Sequence, residues 1–207
     1  MHKVKIGLVG SGFAASLHME AYKMVYGVEP VICALASTSE KAKGFADKYG
    51  IQTVYTSLDE MLQKEKLDVV DICTPPSAHA AQIEKVMMNG CHVICEKPLT
   101  GWFGDHNEPN MLEYVEKQLE ELERVIRASG KKFFYAENFV YAPAVQKSAE
   151  LIEATGAKVL YMKGEESHSG SHAPHAALWS KNGGGSLIRQ GCHPLSAVLY
   201  LKNKEQK

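Results

Sequence analysis

The stretch VKIGLVGSGFAASLHMEA, residues 4–21, constrains this chain more than any other. An apolar run of strand character (4–10) passes through two glycines into a helical stretch (14–26). A glycine turn that joins strand to helix defines a βα unit, and the unit then repeats. Strand patterns at 31–36, 52–55, 68–74, 91–96 and 131–138 alternate with helical ones at 39–50, 57–65, 77–89, 111–129 and 143–154. Ser57 stands three residues before Glu60, a capping-box start, while Gly50, Gly90 and Gly130 follow helix ends. Short connections and continuous apolar strands predict the α/β class, a doubly wound parallel Rossmann sheet with helices on both faces, over residues 1–140. From Ala157, AKVLYMKGEESHSGSH reads as a longer, more polar strand, followed by a glycine-rich loop and a last helix. This predicts the start of a second, α+β substrate domain over 141–207, incomplete in the sequence.

Composition narrows the partners. With 207 residues, 45% hydrophobic, and a formal net charge of -1, the chain has material for a good core and no basic field for a phosphate backbone. No nucleic-acid partner is therefore expected. No apolar run approaches the roughly 20 residues that span a bilayer, and no secretory signal opens the chain, so a cytoplasmic protein without a membrane partner is expected. The five cysteines read as reduced thiols, and the spacing of Cys91 and Cys95 suits neither a redox pair nor a zinc knuckle.

Gly10-Ser11-Gly12-Phe13-Ala14-Ala15 matches G-x-G-x-x-G/A between a strand and a helix. The first glycine makes the tight turn, the second admits a pyrophosphate to the backbone, and the small third residue lets helix pack on strand. At the end of the second strand, Ser37 and Thr38 stand where an acid would hold the ribose 2′-hydroxyl of NAD. Without that carboxylate nothing repels a 2′-phosphate, which tilts the choice towards NADP and leaves NAD open. Glu96 and Lys97 end a buried strand at the edge where such sheets bind ligands, with Pro98 stopping its continuation. In GGGSLIRQGCHPL, residues 183–195, Arg189 and His193 lie four apart, a spacing that would put both on one face of a helix.

Taken together, GSGFAA, VDICTPPSAHAAQI, GCHVICEKPL, AENFVYAP and GGGSLIRQGCHPL, in this order, resemble the Gfo/Idh/MocA oxidoreductases. The resemblance covers residues 4 to about 200 and implies a nicotinamide cofactor, NAD or NADP, with a sugar, cyclitol or sugar-acid substrate and a homo-oligomer. It implies that Gly10, Gly12, Phe13 and Ala14 line the pyrophosphate, and that Thr74, Pro75, Pro76 and His79 border the cofactor. It further implies that Glu96 and Lys97 sit beside the nicotinamide ribose, with Asn138 near the ring or the substrate. Lys97 then polarises the substrate oxygen and His193 is the catalytic base, a pairing suited to oxidising a secondary alcohol. Two other readings stay open at this point: an NAD-dependent glycosidase that works by transient oxidation, and a non-catalytic NAD(P)-binding protein.

The chain departs from the family pattern in three places. Arg189 stands where the family commonly has an aspartate, and its guanidinium suits a carboxylate or phosphate on the substrate. LTGWFGDHNEPN lengthens the loop after the EKP turn and reads as a lid, a subunit contact or a solvated insertion. Of the second domain's large sheet, only a first strand and a helix are visible. His168, His172 and His175 with His193 make a weak ligand set, better read as a substrate-facing loop, and no metal is expected because the implied chemistry needs none.

Overall fold

A computed structural model describes residues 1–167 and 178–205. Six βα alternations are laid out in chain order as β1 (His2–Val9), α1 (Phe13–Tyr22), β2 (Val28–Ala36), α2 (Ala42–Tyr49), β3 (Thr53–Tyr55) and α3 (Leu58–Lys64). They continue through β4 (Val69–Ile72), α4 (His79–Met88), β5 (His92–Glu96), α5 (Met111–Ser129), β6 (Phe133–Ala136) and α6 (Pro143–Thr155). Three helices follow: α7 (Trp179–Asn182), α8 (Gly185–Arg189) and α9 (Cys192–Lys202). The strands form one sheet in the order β3-β2-β1-β4-β5-β6, and every recorded pairing is parallel. The order reverses between β1 and β4, so a crevice opens there beyond the carboxyl ends of the strands.

Strand alternation divides the core between the two faces of the sheet. Leu8 packs with Ala15, Met19, Leu35 and Phe45 under α1 and α2, while its neighbour Val9 joins Ile72, Ile83, Val93 and Leu122 on the other face. The alternating pattern thus forms the doubly wound sheet expected from the sequence. Strand β2 starts three residues earlier than its apolar pattern, at Val28, and includes Pro30. Proline is tolerated there because β3 pairs with β2 only from Ala34 onwards, so the missing N–H leaves no ladder bond unmade on that side. Helix α1 is shorter than its pattern. Lys23 and Met24 donate back to Glu20 and Ala21, and Gly27 with a φ of 90° carries the chain into β2.

The strand expected from Ala157 does not form. Residues 157–167 have no regular secondary structure, because a polar strand needs a neighbour, and β3 and β6 at the sheet edges pair with no part of it. His168, His172 and His175 lie outside the described residues. All five cysteines are free thiols. Among the described residues no helix is long and apolar enough to cross a membrane.

Candidate active site

The glycine turn after β1 has the shape that the sequence asks of it. Gly10 adopts a φ of 98° and donates its N–H to Ala36 O at 2.9 Å, and a Cβ there would lie 2.7 Å from the Cys73 carbonyl oxygen. Only glycine fits that position. Gly12 is the N-cap of α1, no side chain caps the helix, and a Cβ on Gly12 would meet nothing within 4 Å. An uncapped helix N-terminus facing open space fits a dinucleotide's pyrophosphate. Phe13 is exposed and Ala14 half-buried at its edge. Ser11 and Ser37 share a hydrogen bond of 2.9 Å between their hydroxyls, which ties the loop after β1 to the one after β2, where Thr38 is exposed.

Exchanging Gly10 for alanine should strain the turn by about 1–3 kcal/mol, on the scale of left-handed non-glycine backbone. Since about 1.4 kcal/mol is tenfold in affinity, NADH binding followed by fluorescence should weaken about tenfold or more in Gly10→Ala. An unchanged dissociation constant would contradict this account of the turn.

On the other side of the crevice, β4 leads into Thr74, Pro75 and a single 3-10 turn at Pro76–Ala78. His79 behind it is fully buried, with Nδ1 2.9 Å from Pro98 O and Nε2 2.9 Å from Thr74 O. Burial holds the ring below its ordinary pKa, so as a neutral imidazole it donates to one of these carbonyls at a time. With no accessible surface, His79 borders a ligand only through the two loops that it joins. Thr74 donates its hydroxyl to Gln82 at 2.6 Å. The EKP turn therefore rests on the TPP turn. Its Lys97–Pro98 peptide is cis, and Glu96 Oε2 accepts from the Lys97 backbone N–H at 3.1 Å.

Lys97 reaches across to the last segment of the chain, where its Nζ donates to Arg189 O at 3.3 Å. Arg189 and His193 do not share one helix, contrary to the i, i+4 expectation. Helix α8 ends at Arg189 and α9 begins at Cys192. Gln190 and Gly191 both turn their N–H back to Ser186 O, and a Cβ on Gly191 would lie 2.6 Å from Leu187 O. The glycine permits a close turn that a continuous helix would not make. The Arg189 side chain is half-buried, and burial lowers its pKa from the ordinary value.

His193 is buried, and its Nδ1 lies 2.6 Å from Glu137 Oε1 at the end of β6. Phe139 stacks on the imidazole with ring centroids 4.4 Å apart, and its N–H donates to the same Glu137 oxygen at 3.1 Å. Burial opposes charge on Glu137, but bonds from His193 and Phe139 and the nearby charges of His193 and Lys97 outweigh it and hold the carboxyl below its ordinary pKa. A carboxylate thus reaches His193 from the end of β6, and not from the position four residues before it, where Arg189 stands. Sequence reasoning passed over Glu137 for its neighbour Asn138, which is exposed at the start of a 3-10 turn. The available signal was a carboxylate at the carboxyl end of a parallel strand. Burial, opposed by the Lys97 charge and aided by that of Glu137, pushes the Cys192 thiol up to about 11, so it is no thiolate nucleophile near neutrality.

A second missed residue is His18, in the middle of α1. Its Nδ1 lies 2.8 Å from Asp71 Oδ2, and its Nε2 lies 3.1 Å from Glu96 Oε1. Asp71 is fully buried and also accepts from the Tyr22 hydroxyl at 2.7 Å. Burial alone would strip the proton from the ring; bonds to Asp71, Cys73 and Glu96, with the charge of Asp71, instead push its pKa up to about 12.

The stretch 101–110 folds onto the glycine loop. Trp102 donates its backbone N–H to Gly183 O at 2.9 Å and stacks edge-on against Tyr114, while His106 meets Trp179 at a centroid distance of 5.9 Å. Gly183, Gly184 and Gly185 all have positive φ, and a side chain on Gly101 would run into the Gly183 carbonyl. This contact brings the approach to His193 against the turn that carries Lys97.

Comparison with known proteins gives the family of the chain. The chain is 25% identical over 201 residues to D-glucoside 3-dehydrogenase of Escherichia coli K12, covering 96% of the chain and 54% of that protein. It is 29% identical over 180 residues to D-xylose 1-dehydrogenase (NADP(+)) 2 of Haloferax volcanii, covering 86% of the chain and 51% of that protein. The crystal structure of an NAD-binding oxidoreductase from Klebsiella pneumoniae superposes with a TM-score of 0.75 at 28% identity, covering 97% of the chain and 53% of that structure. The chain spans about half the length of these relatives. Residues 4–128 match the family described as "Oxidoreductase family, NAD-binding Rossmann fold", and this chain is a member of that Gfo/Idh/MocA family.

Proposed function

We propose that this chain is an NAD(P)-dependent oxidoreductase acting on a secondary hydroxyl of a sugar, cyclitol or sugar acid. The observation that carries the reading is the buried His193–Glu137 contact of 2.6 Å, near enough to Lys97 for its charge to act on Glu137. Both named relatives act on sugars, which supports the substrate class. In this reading, residues 1–140 hold the dinucleotide and 141–207 begin the substrate side, which the pairs Glu137–His193 and Lys97–Arg189 join together.

Nicotinamide, when bound, supplies the acceptor for the electron pair. Gly10, Gly12, Phe13 and Ala14 would hold the pyrophosphate, Thr74, Pro75 and Pro76 would border the cofactor, and Glu96 and Asn138 would flank its ring end. Ser37 and Thr38, with no carboxylate at the end of β2, favour NADP. The Lys97 ammonium hydrogen-bonds the substrate oxygen and stabilises negative charge as it develops. Glu137 engages His193 Nδ1 and so leaves Nε2 to receive the hydroxyl proton. A carboxylate at Nδ1 also stabilises the imidazolium that forms, the role an aspartate has in a Ser-His-Asp triad.

Absorbance of the reduced nicotinamide tests the reading, with sugars, cyclitols and sugar acids offered alongside NAD and NADP. Oxidation of at least one class is expected, and cofactor binding without turnover of any would favour a non-catalytic protein. Arg189 adds a preference for an anionic substrate. A bidentate guanidinium–carboxylate contact contributes roughly 1.5–3 kcal/mol. Arg189→Ala should therefore raise KM for sugar acids about tenfold or more relative to neutral sugars. Equal changes for both classes would remove Arg189 from substrate binding.

A further inference from the structure

Helix α1 has two parts with different tasks. Its N-terminus faces the space for a pyrophosphate, while its middle touches the two strands that carry the rest of the site. His18 makes that second contact. It lies between Asp71 on β4 and Glu96 on β5, 2.8 Å from the first and 3.1 Å from the second, and its side chain is 17% exposed. An imidazolium in this position donates from two separate nitrogens, one towards each carboxylate, and adds a positive charge that a neutral amide lacks.

Glu96 is what makes the arrangement consequential. One of its oxygens faces His18 Nε2, and the other accepts from the Lys97 backbone N–H at 3.1 Å. The carboxylate is therefore held at both ends, between a ring anchored in the dinucleotide helix and the peptide that starts the EKP turn. Asp71 fixes the ring in turn, through contacts of 3.0 and 2.8 Å to Nδ1, and is itself fixed by Tyr22. The line of contacts runs Tyr22–Asp71–His18–Glu96–Lys97, from the core to the backbone of the EKP turn.

We propose that His18 is a positioning residue that, through Glu96, holds the turn presenting Lys97 to the substrate. The role rests on the reading of Lys97 as the group that polarises the substrate oxygen. Without the cation, Glu96 loses its fixed partner and the turn gains freedom. Misplacing a reacting group by about 1 Å can cost on the order of 100-fold in rate.

Two variants separate positioning from mere stability. His18→Gln removes the positive charge and carries both of its N–H donors on one nitrogen, in place of the two separate ring nitrogens that face Asp71 and Glu96. Leu122→Ala opens a cavity in the core on the other face of the sheet and touches none of these contacts. In His18→Gln, kcat should fall about 10- to 100-fold with a smaller change in KM, whereas Leu122→Ala should lose thermal stability and keep its kcat. A second measurement needs no turnover. Acylation of Lys97 by a water-soluble N-hydroxysuccinimide ester, read by peptide mass spectrometry, should change severalfold in rate in His18→Gln and stay at the wild-type rate in Leu122→Ala. Equal labelling rates in all three proteins, or the same change in both variants, would overturn the role of His18. If the wild type turns over no substrate while labelling still separates the variants, the oxidoreductase reading fails and the positioning of Lys97 by His18 stands.

Discussion

Asparagine in place of His193 should lower turnover about 10²- to 10⁴-fold, the usual contribution of a positioned general base. Asparagine is the informative choice because its amide nitrogen can take the place of Nδ1 and donate to Glu137 Oε1, now 2.6 Å from the ring. Alanine would leave Glu137, 2% exposed, as a buried carboxylate without its main partner, and the loss of stability would blur the kinetics. The amide keeps a donor on Glu137 Oε1 and cannot accept a proton at neutral pH. NADH affinity should therefore stay within about twofold of wild type while kcat falls. A variant with kcat near the wild-type value would show that His193 is not the base.

Lys97→Ala should remove about 10²- to 10³-fold in kcat, the scale of one donor aimed at developing oxygen charge. The mutation also cuts the 3.3 Å contact to Arg189 O. That bond is neutral on the acceptor side and partly exposed, so its loss should cost at most about 1 kcal/mol of stability. Charge stabilisation acts mostly in the transition state, so kcat and kcat/KM should fall together. A rise in KM alone, with kcat preserved, would assign Lys97 to ground-state binding instead. Steady-state kinetics on any substrate found in the absorbance screen separates the two outcomes.

The sheet was legible because its signals are local. Leu8 and Val9 face opposite cores as strand alternation requires, and Gly10 stands at a turn whose backbone demands it. The misreadings share a physical cause: partners far apart in sequence. Glu137 and His193 are separated by 56 residues, and His18 and Asp71 by 53, so no periodicity links them. Topology alone brings them together at the carboxyl ends of β4, β5 and β6. For Arg189 and His193 the error ran the other way, since a local spacing was trusted across Gly191, where the chain bends. Likewise, a strand is a property of its neighbours, and 157–167 has none among the described residues.

The central claim is that one crevice brings a nicotinamide ring together with Lys97 and the His193–Glu137 pair. A crystal structure of the protein soaked with NADH tests it most directly. The account expects the diphosphate on the backbone N–H groups at the start of α1 and the nicotinamide beside the EKP turn, with His193 still held by Glu137. A dinucleotide bound elsewhere, or a ring turned away from Lys97 and His193, would contradict it.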